Sequence, residues 1–329
     1  EVNNGRVKFD ASDSTDALES KKRWFPYNKG GAYRKWYGNI EYVVNWEKDG
    51  FEIKNIRDDK GKLRSRPQNL SYFFREALTW SKVTIGGFSM RYVPAGAVFD
   101  VAGCSLVPYK DIYVMLANMN SCVQKHILSV FSQSVNYEVG QIAALPIVDA
   151  GNYTNEIDNL SHECVAISRE EWNSYETSWE FDKHPLIVKG EVMHKHLSSL
   201  YKDWEEKCER MFSDLKSHEE RLNKLFEQWM ALQPLTEAQQ NCLSKSFTAE
   251  DTYNSKDITI RKADLSREVI SLISYSVGCM FGRYSIDESG VIYAGGEWDE
   301  SKYSSYFPDK DAIIPICDDE YFSDDIVGR

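Results

Sequence analysis

The chain has 329 residues, 42% of them apolar and 13% aromatic, which supplies a sizeable core and two substructures and excludes a disordered or fibrous protein. Its 39 Lys and Arg stand against 51 Asp and Glu, a net charge of −12 that, taken over the whole chain, argues against DNA. The charge is segregated, however: residues 1–110 hold 19 basic and 13 acidic residues, while the remainder holds 20 and 38. A local basic face can bind nucleic acid while an acidic remainder discourages non-specific sticking, so binding is expected through the N-terminal third.

The opening EVNNGRVKF has neither Met nor a basic-then-apolar leader, and residues 1–22 read as the leader segment of a piece cut from a longer polypeptide. The stretch from Lys22 to Asn39, KRWFPYNKGGAYRKWYGN, mixes cations, aromatic rings and a Gly-Gly pair. Arg and Lys beside aromatic faces suit phosphates and bases, and Gly30 and Gly31 let a backbone approach a ligand closely. The spacing fits two readings equally: a nucleic-acid contact loop, or a turn whose Trp24, Phe25, Tyr33, Trp36 and Tyr37 feed a core beneath a basic rim.

From about residue 24 to 110 the text reads as short strands and turns. EYVVNW (41–46), VTIGGFSMRYV (83–93) and VFDVAG (98–103) have β-branched and aromatic strand content broken by Gly, with a basic loop, RDDKGKLRSR (57–66), after the first. Glu52-Ile53-Lys54 matches half of a metal-dependent nuclease motif, but no aspartate precedes it at a suitable interval, so it reads as a surface strand. Ser105 after Gly103-Cys104 reads as core packing.

From 111 to 132 apolar residues recur every three and four, predicting a helix or helix pair around Asn118 to Asn120, followed by a strand-like run, VNYEVGQIAALPIV, ending in a Pro turn. The sharpest period lies further on: Tyr201, Trp204, Cys208, Met211, Leu215, His218, Leu222, Leu225, Trp229 and Leu232 form a heptad seam on a rod of roughly 48 Å. His218 reads as a partly exposed seam residue. Pro234 ends the rod, and Thr236 with Gln239 resembles a capping box. Residues 264–283 supply a candidate partner helix with Leu265, Val269, Leu272, Ile273, Val277, Met280 and Phe281 on one side. Between Asp287 and Asp325 twelve acidic and two basic residues lie among aromatics, a solvated rim or a protein-contact surface.

Seven scattered cysteines without a CxxC pair predict buried free thiols in a reducing cytoplasm. His194 and His196 sit two apart in a helical region and point to different faces, so no metal site is expected. No run of about 18 apolar residues exists, hence no membrane span. Glycine loops for dinucleotides or S-adenosylmethionine, Asn-Pro-Pro-Tyr, GxxxxGK[ST], GxSxG and HExxH are all absent from the sequence.

Three segments carry a resemblance. RWFPYNKGGAYRKWYGNIEYVVNWEKDG, ALTWSKVTIGGFSMRYVPAGAVFDVAGCSLV and NYEVGQIAALPI resemble the target-recognition region of the PglX family, adenine-specific DNA methyltransferases of BREX phage-defence systems, and the Leu-Pro-Ile close is similar to that of TaqI-type specificity domains. The resemblance continues through ERLNKLFEQWMAL, DITIRKADLSREVISLISYSVGCMFGRYSID and the acidic tail. It implies an α+β chain divided into a leader (1–22), a β-rich target-recognition domain (23–190), a helical spacer or bundle (191–285) and an acidic aromatic segment (286–329), with both ends of the chain truncated.

The same resemblance implies a parent enzyme whose S-adenosylmethionine pocket and catalytic loop for adenine N6 transfer lie elsewhere. This chain would then be catalytically silent, with no cofactor of its own. An adenine inside a duplex must be extruded before it is methylated, and a separate domain holds the duplex and reads flanking bases. The expected DNA contacts are Lys29, Arg34, Lys35, Arg64, Arg66, Ser89 and Arg91, with Gly30 and Gly31 allowing close approach and Tyr33, Trp36 or Trp80 packing beside the duplex. Expected partners are double-stranded DNA, the N-terminal methyltransferase domain of the same polypeptide, other BREX proteins and phage DNA-mimic inhibitors; no membrane is among them. Two rivals stand beside this reading: a protein-interaction module of a defence complex without DNA readout, and a carbohydrate-binding domain, for which the clustered cations are unnecessary.

Overall fold

The computed structural model describes residues 2, 4–131, 135–147, 150–187, 196–231, 255–310, 314, 316–317 and 326–327. The fold is α+β, as expected. The elements are α1 (Ser14–Glu19), β1 (Trp24–Asn28), β2 (Tyr42–Asn45), α2 (Glu47–Asn55), β3 (Ala77–Ser81), β4 (Met90–Val93), β5 (Val98–Phe99), β6 (Gly103–Leu106), α3 (Ile112–Asn120), α4 (Cys122–Phe131), α5 (Val139–Ala143), α6 (Thr154–Asn173), α7 (Leu197–Ala231), α8 (Leu265–Met280), β7 (Ile316–Cys317) and β8 (Ile326–Val327). No described helix is long and apolar enough to cross a membrane.

The chain divides into two compact units. The larger comprises Arg6–Trp172 and Lys207–Lys262; the smaller comprises Glu1–Gly5, Asn173–Glu206 and Ala263–Arg329. The long helix α7 is therefore not a free-standing spacer: from Lys207 onward its residues belong to the larger unit.

In the larger unit, one sheet has the order β2-β1-β5, with β1 antiparallel to β2 and parallel to β5; the other has the order β4-β3-β6 and is antiparallel throughout. Pro26 is tolerated in the middle strand β1 because β5 pairs only with Tyr27 and Asn28, leaving no ladder partner for the missing N–H. Asn28 ties the sheets together: its Nδ2 donates to Thr79 Oγ1 at 2.5 Å and to Gly103 O at 3.3 Å. Beneath the first sheet, Phe25, Trp46, Phe73, Phe74 and Val98 form one core cluster. Its rings meet edge to face, Trp46 on Phe73 at 5.1 Å and Phe73 on Phe99 at 4.8 Å, the geometry that the ring quadrupole favours.

Several expectations are corrected. WFPYN is a strand, not a contact loop, and ALTWS, buried at every position, is the central strand of the second sheet. Of the expected 83–93 strand only Met90–Val93 forms a strand, while Val83 makes an isolated antiparallel bridge to Asn136. Glu52-Ile53-Lys54 is helical, in α2, where Glu52 accepts from Asn45 Nδ2 and Lys54 pairs with Asp49, so neither a surface strand nor a nuclease strand is present there. The run after α4 holds the short helix α5, not a strand. The helix pair does break where the period predicted, at Ser121, between α3 and α4.

The seam of α7 is buried from Trp204 to Leu225, with His218 half-buried as expected. The side chain of Trp229 and all of Leu232, Pro234, Thr236, Gln239 and His194 lie outside the described residues. Helix α8 belongs to the smaller unit. Leu265, Ile273, Val277 and Phe281 on its apolar side are exposed, and Tyr275 and Cys279 pack with Phe181 and Tyr284. Cys104, Cys122, Cys164, Cys208 and Cys279 are buried free thiols.

The smaller unit carries a buried titratable group, His184. Its Nδ1 accepts from Leu186 N at 3.2 Å, and burial pushes the imidazole down to about 4 against the opposing pull of Glu268. Because the unfolded chain titrates near 6.5, the neutral ring stabilises this unit fully above that pH, and the contribution is lost as pH falls from 6.5 through 4. Urea midpoints should drop across that window by the equivalent of up to about 3 kcal/mol. His184→Phe should flatten this part of the profile; an unchanged slope would refute the assignment.

Candidate nucleic-acid interface

Three of the six cations expected to meet DNA, Arg34, Lys35 and Arg91, are inside the larger unit. Tyr37 N donates to Lys35 O at 2.8 Å across Trp36, whose φ of 67° is positive, a tight three-residue turn that a Trp adopts only when its surroundings demand it. The turn sends Lys35 and Trp36 to one carboxylate: Glu219 of α7 accepts from Lys35 Nζ at 2.5 Å and from Trp36 Nε1 at 2.6 Å. Arg34 goes to another, Glu171 of α6, and its Nε donates to Tyr37 O at 2.6 Å while its guanidinium lies 4.9 Å over the Trp172 ring. Glu171 is fully buried and also accepts from Arg261 Nε at 2.7 Å. Burial alone would lower the Lys35 ammonium, but Glu219 outweighs it and raises the group above the usual lysine range.

The remaining members of the expected set divide between interior and surface. Arg91 is wholly buried on β4, donating to Arg34 O at 3.3 Å and Ser81 Oγ at 3.2 Å; burial, and then the Arg34 charge, bring its pKa down to about 10. Ser89 is buried and its Oγ accepts from Arg34 N; Trp80 is buried and donates to Tyr137 O at 3.0 Å. Gly30, at φ 78°, allows close approach, but to the fold itself: a Cβ there would lie 2.7 Å from Ala102 O. Gly31, at φ 151°, faces the Asn39 side chain in the same way. The expectation that Arg34, Lys35, Trp36, Trp80, Ser89, Arg91 and the Gly pair meet DNA is thus corrected. Of the two readings of the segment, the core-feeding turn is the one found, and carboxylates from the later half of the chain neutralise Arg34 and Lys35.

Lys29, Arg64 and Arg66 remain on the surface. Lys29 is exposed, its Nζ 5.3 Å over the Tyr42 ring. Arg64 and Arg66 belong to a hairpin-like loop closed by an Arg57–Leu63 antiparallel bridge and by Arg64 N donating to Ile56 O at 2.9 Å. Asp58 pins its tip: Oδ1 accepts from Lys60 N at 3.0 Å and Lys62 N at 2.9 Å, and Gly61 takes the positive φ of 76° that the turn requires. Arg57, Lys60, Lys62, Arg64 and Arg66 are all exposed. Among the described residues, Lys60, Lys62, Arg64 and Arg66 form no ion pair.

The sequence marks the whole stretch 57–66 as a basic loop, with Arg64 and Arg66 but not Arg57, Lys60 and Lys62 among the expected contacts. The signal was present in Asp58-Asp59-Lys60-Gly61, an Asp-to-Gly turn between cations spaced to line both arms of a hairpin. What this arrangement offers chemically is a cluster of exposed positive charge on a loop held by its own backbone hydrogen bonds.

Residues 65–69 line a cleft of about 480 Å3 in the same unit, together with Tyr27, Trp46, Phe73, Phe99 and Asp100. Asp100 is held rigidly: Oδ2 accepts from the Tyr27 hydroxyl at 2.6 Å and Oδ1 from Ala102 N at 2.8 Å and Gly103 N at 3.0 Å. Among the described residues no group of His, Cys, Asp and Glu could hold a metal ion.

No family model matches the chain. It is 40% identical over 313 residues to the adenine-specific methyltransferase PglX of Lacticaseibacillus casei (strain Zhang), an alignment covering 94% of this chain and 25% of that protein. It is 34% identical over 332 residues to the adenine-specific methyltransferase BrxX of Escherichia coli O9:H4 (strain HS), covering 96% of this chain and 26% of that protein. The chain thus spans about a quarter of the length of these relatives. With identity sustained over nearly all of its residues, the chain is a homologue of a quarter-length region of the PglX and BrxX adenine-specific methyltransferases.

Proposed function

We propose that this chain is the DNA-recognition part of a site-specific adenine methyltransferase of a BREX defence system, and that it holds duplex DNA through the cationic hairpin at Arg57–Arg66 with help from Lys29. The observation that carries this reading is the exposed, unpaired cluster of Lys60, Lys62, Arg64 and Arg66 on a loop held by its own backbone hydrogen bonds. Phosphates fix the register of a protein on a duplex, and Arg can also take a guanine edge bidentately, so the same loop serves positioning and readout. Methyl transfer, with S-adenosylmethionine as donor, belongs to the remainder of the full-length enzyme; this chain places the duplex for it.

Duplex affinity measured by anisotropy from low to physiological salt tests the reading. Neutralising phosphates releases counterions, so affinity should fall steeply and linearly on logarithmic axes. Salt-independent binding, or none, would favour a protein-interaction module, for which the exposed apolar side of α8 at Leu265, Ile273, Val277 and Phe281 is the supporting observation.

A further inference from the structure

We infer that the aromatic cleft beside the hairpin is a nucleobase pocket, which takes a single unstacked base, nothing assigned so far having given the cleft a role. Its volume of about 480 Å3 is in the range of small-molecule sites, roughly 300–1,000 Å3, and admits one base with its sugar but no paired helix. Of the rings lining it, Tyr27 and Phe99 are partly exposed and Trp46 and Phe73 are buried. Every base has a π-face, so rings in this arrangement suit any of them.

Two polar groups make the cleft more than a greasy hole. Among the described residues, Asp100 Oδ2 receives only the Tyr27 hydroxyl and retains a lone pair for a base N–H, while its other oxygen is locked by two backbone donors. The Trp46 indole N–H is buried with no acceptor among those residues, on a residue that lines the cleft. A nucleobase carries N–H groups that the Asp100 carboxylate can accept; a plain hydrocarbon ring carries none. Arg66, exposed on the wall of the cleft, supplies the cation for the attached phosphate.

Two sources share this chemistry: a base extruded from duplex bound on the hairpin, and a free nucleotide. The first rests on the proposed duplex contact and the second does not. The test compares the 329-residue chain on a fully paired duplex, on the same duplex with one unpaired adenine, and on dAMP read through the Trp46 indole NMR signal. The plugging variant is Val101→Trp, at a position that lines the cleft and is 73% exposed, so that the core is untouched; Phe99→Ala, which removes a ring wall, is the second.

The unpaired adenine should raise affinity about tenfold, and both variants should erase that gain while leaving paired-duplex affinity unchanged. Equal binding of the two duplexes with no dAMP response overturns the pocket and leaves the DNA reading intact. A dAMP response abolished in Val101→Trp, without any duplex binding, supports the pocket with a free nucleotide as its source and defeats the DNA reading. A preference for the unpaired adenine that survives both variants overturns the pocket.

Discussion

Glu219→Ala should destabilise the larger unit by about 3–5 kcal/mol, the typical cost of removing one partner of a buried ion pair. Lys35 and Glu219 are almost sealed from solvent, with side chains 7% and 2% exposed, so water cannot replace the missing carboxylate, and the Trp36 indole N–H loses its acceptor in the same stroke. The loss should appear in urea denaturation as a lower midpoint with an unchanged m-value, provided unfolding remains two-state. The paired replacement Lys35→Met with Glu219→Leu should recover most of it, because apolar residues of similar volume avoid the desolvation of two charges. A loss below about 1 kcal/mol for Glu219→Ala would mean that the pair is hydrated in solution.

The second large effect is on binding and should leave stability alone. Replacing Lys60, Lys62, Arg64 and Arg66 together by Ala removes four exposed cations without touching the core. Each phosphate left without its cation should lower the slope of log affinity against log salt by about 1, so a drop of about 4 is expected if all four meet phosphate. Surface substitutions of this kind usually shift stability by no more than about 0.5 kcal/mol, so the weaker binding cannot be charged to unfolding. Arg64→Lys should keep much of the slope and lose discrimination if Arg64 grips a base edge, since Lys cannot form the bidentate fork. Arg34 and Lys35 behave oppositely: their removal should weaken the fold, not the salt dependence.

Much of the α+β architecture was legible because it is periodic. The seam from Trp204 to Leu225 and the break at Ser121 follow from apolar spacing alone. Strand β1 was not legible, since WFPYN contains a Pro and sits among cations, and only its partners, short β5 and antiparallel β2, explain why a strand survives there. The gathering of Arg34, Lys35 and Arg91 looked like a surface patch because local sequence carries no record of what folds over it. The missing partners lie 137 and 184 residues away, at Glu171 and Glu219. One hint was present: Glu219 follows Leu215 by four and precedes Leu222 by three, a carboxylate on the buried side of its own helix, which demands a cation from elsewhere. The hairpin, by contrast, is a local device, and its turn chemistry lay open in Asp58 and Gly61.

Reductive methylation of lysines, read by mass spectrometry with and without a short duplex at low salt, tests the central claim most directly. Lys60 and Lys62 should react freely in the unbound chain and become protected by duplex, while Lys35, sealed against Glu219, should resist in both states. Lys60 and Lys62 reacting equally with duplex bound, with protection appearing on other lysines, would contradict the account.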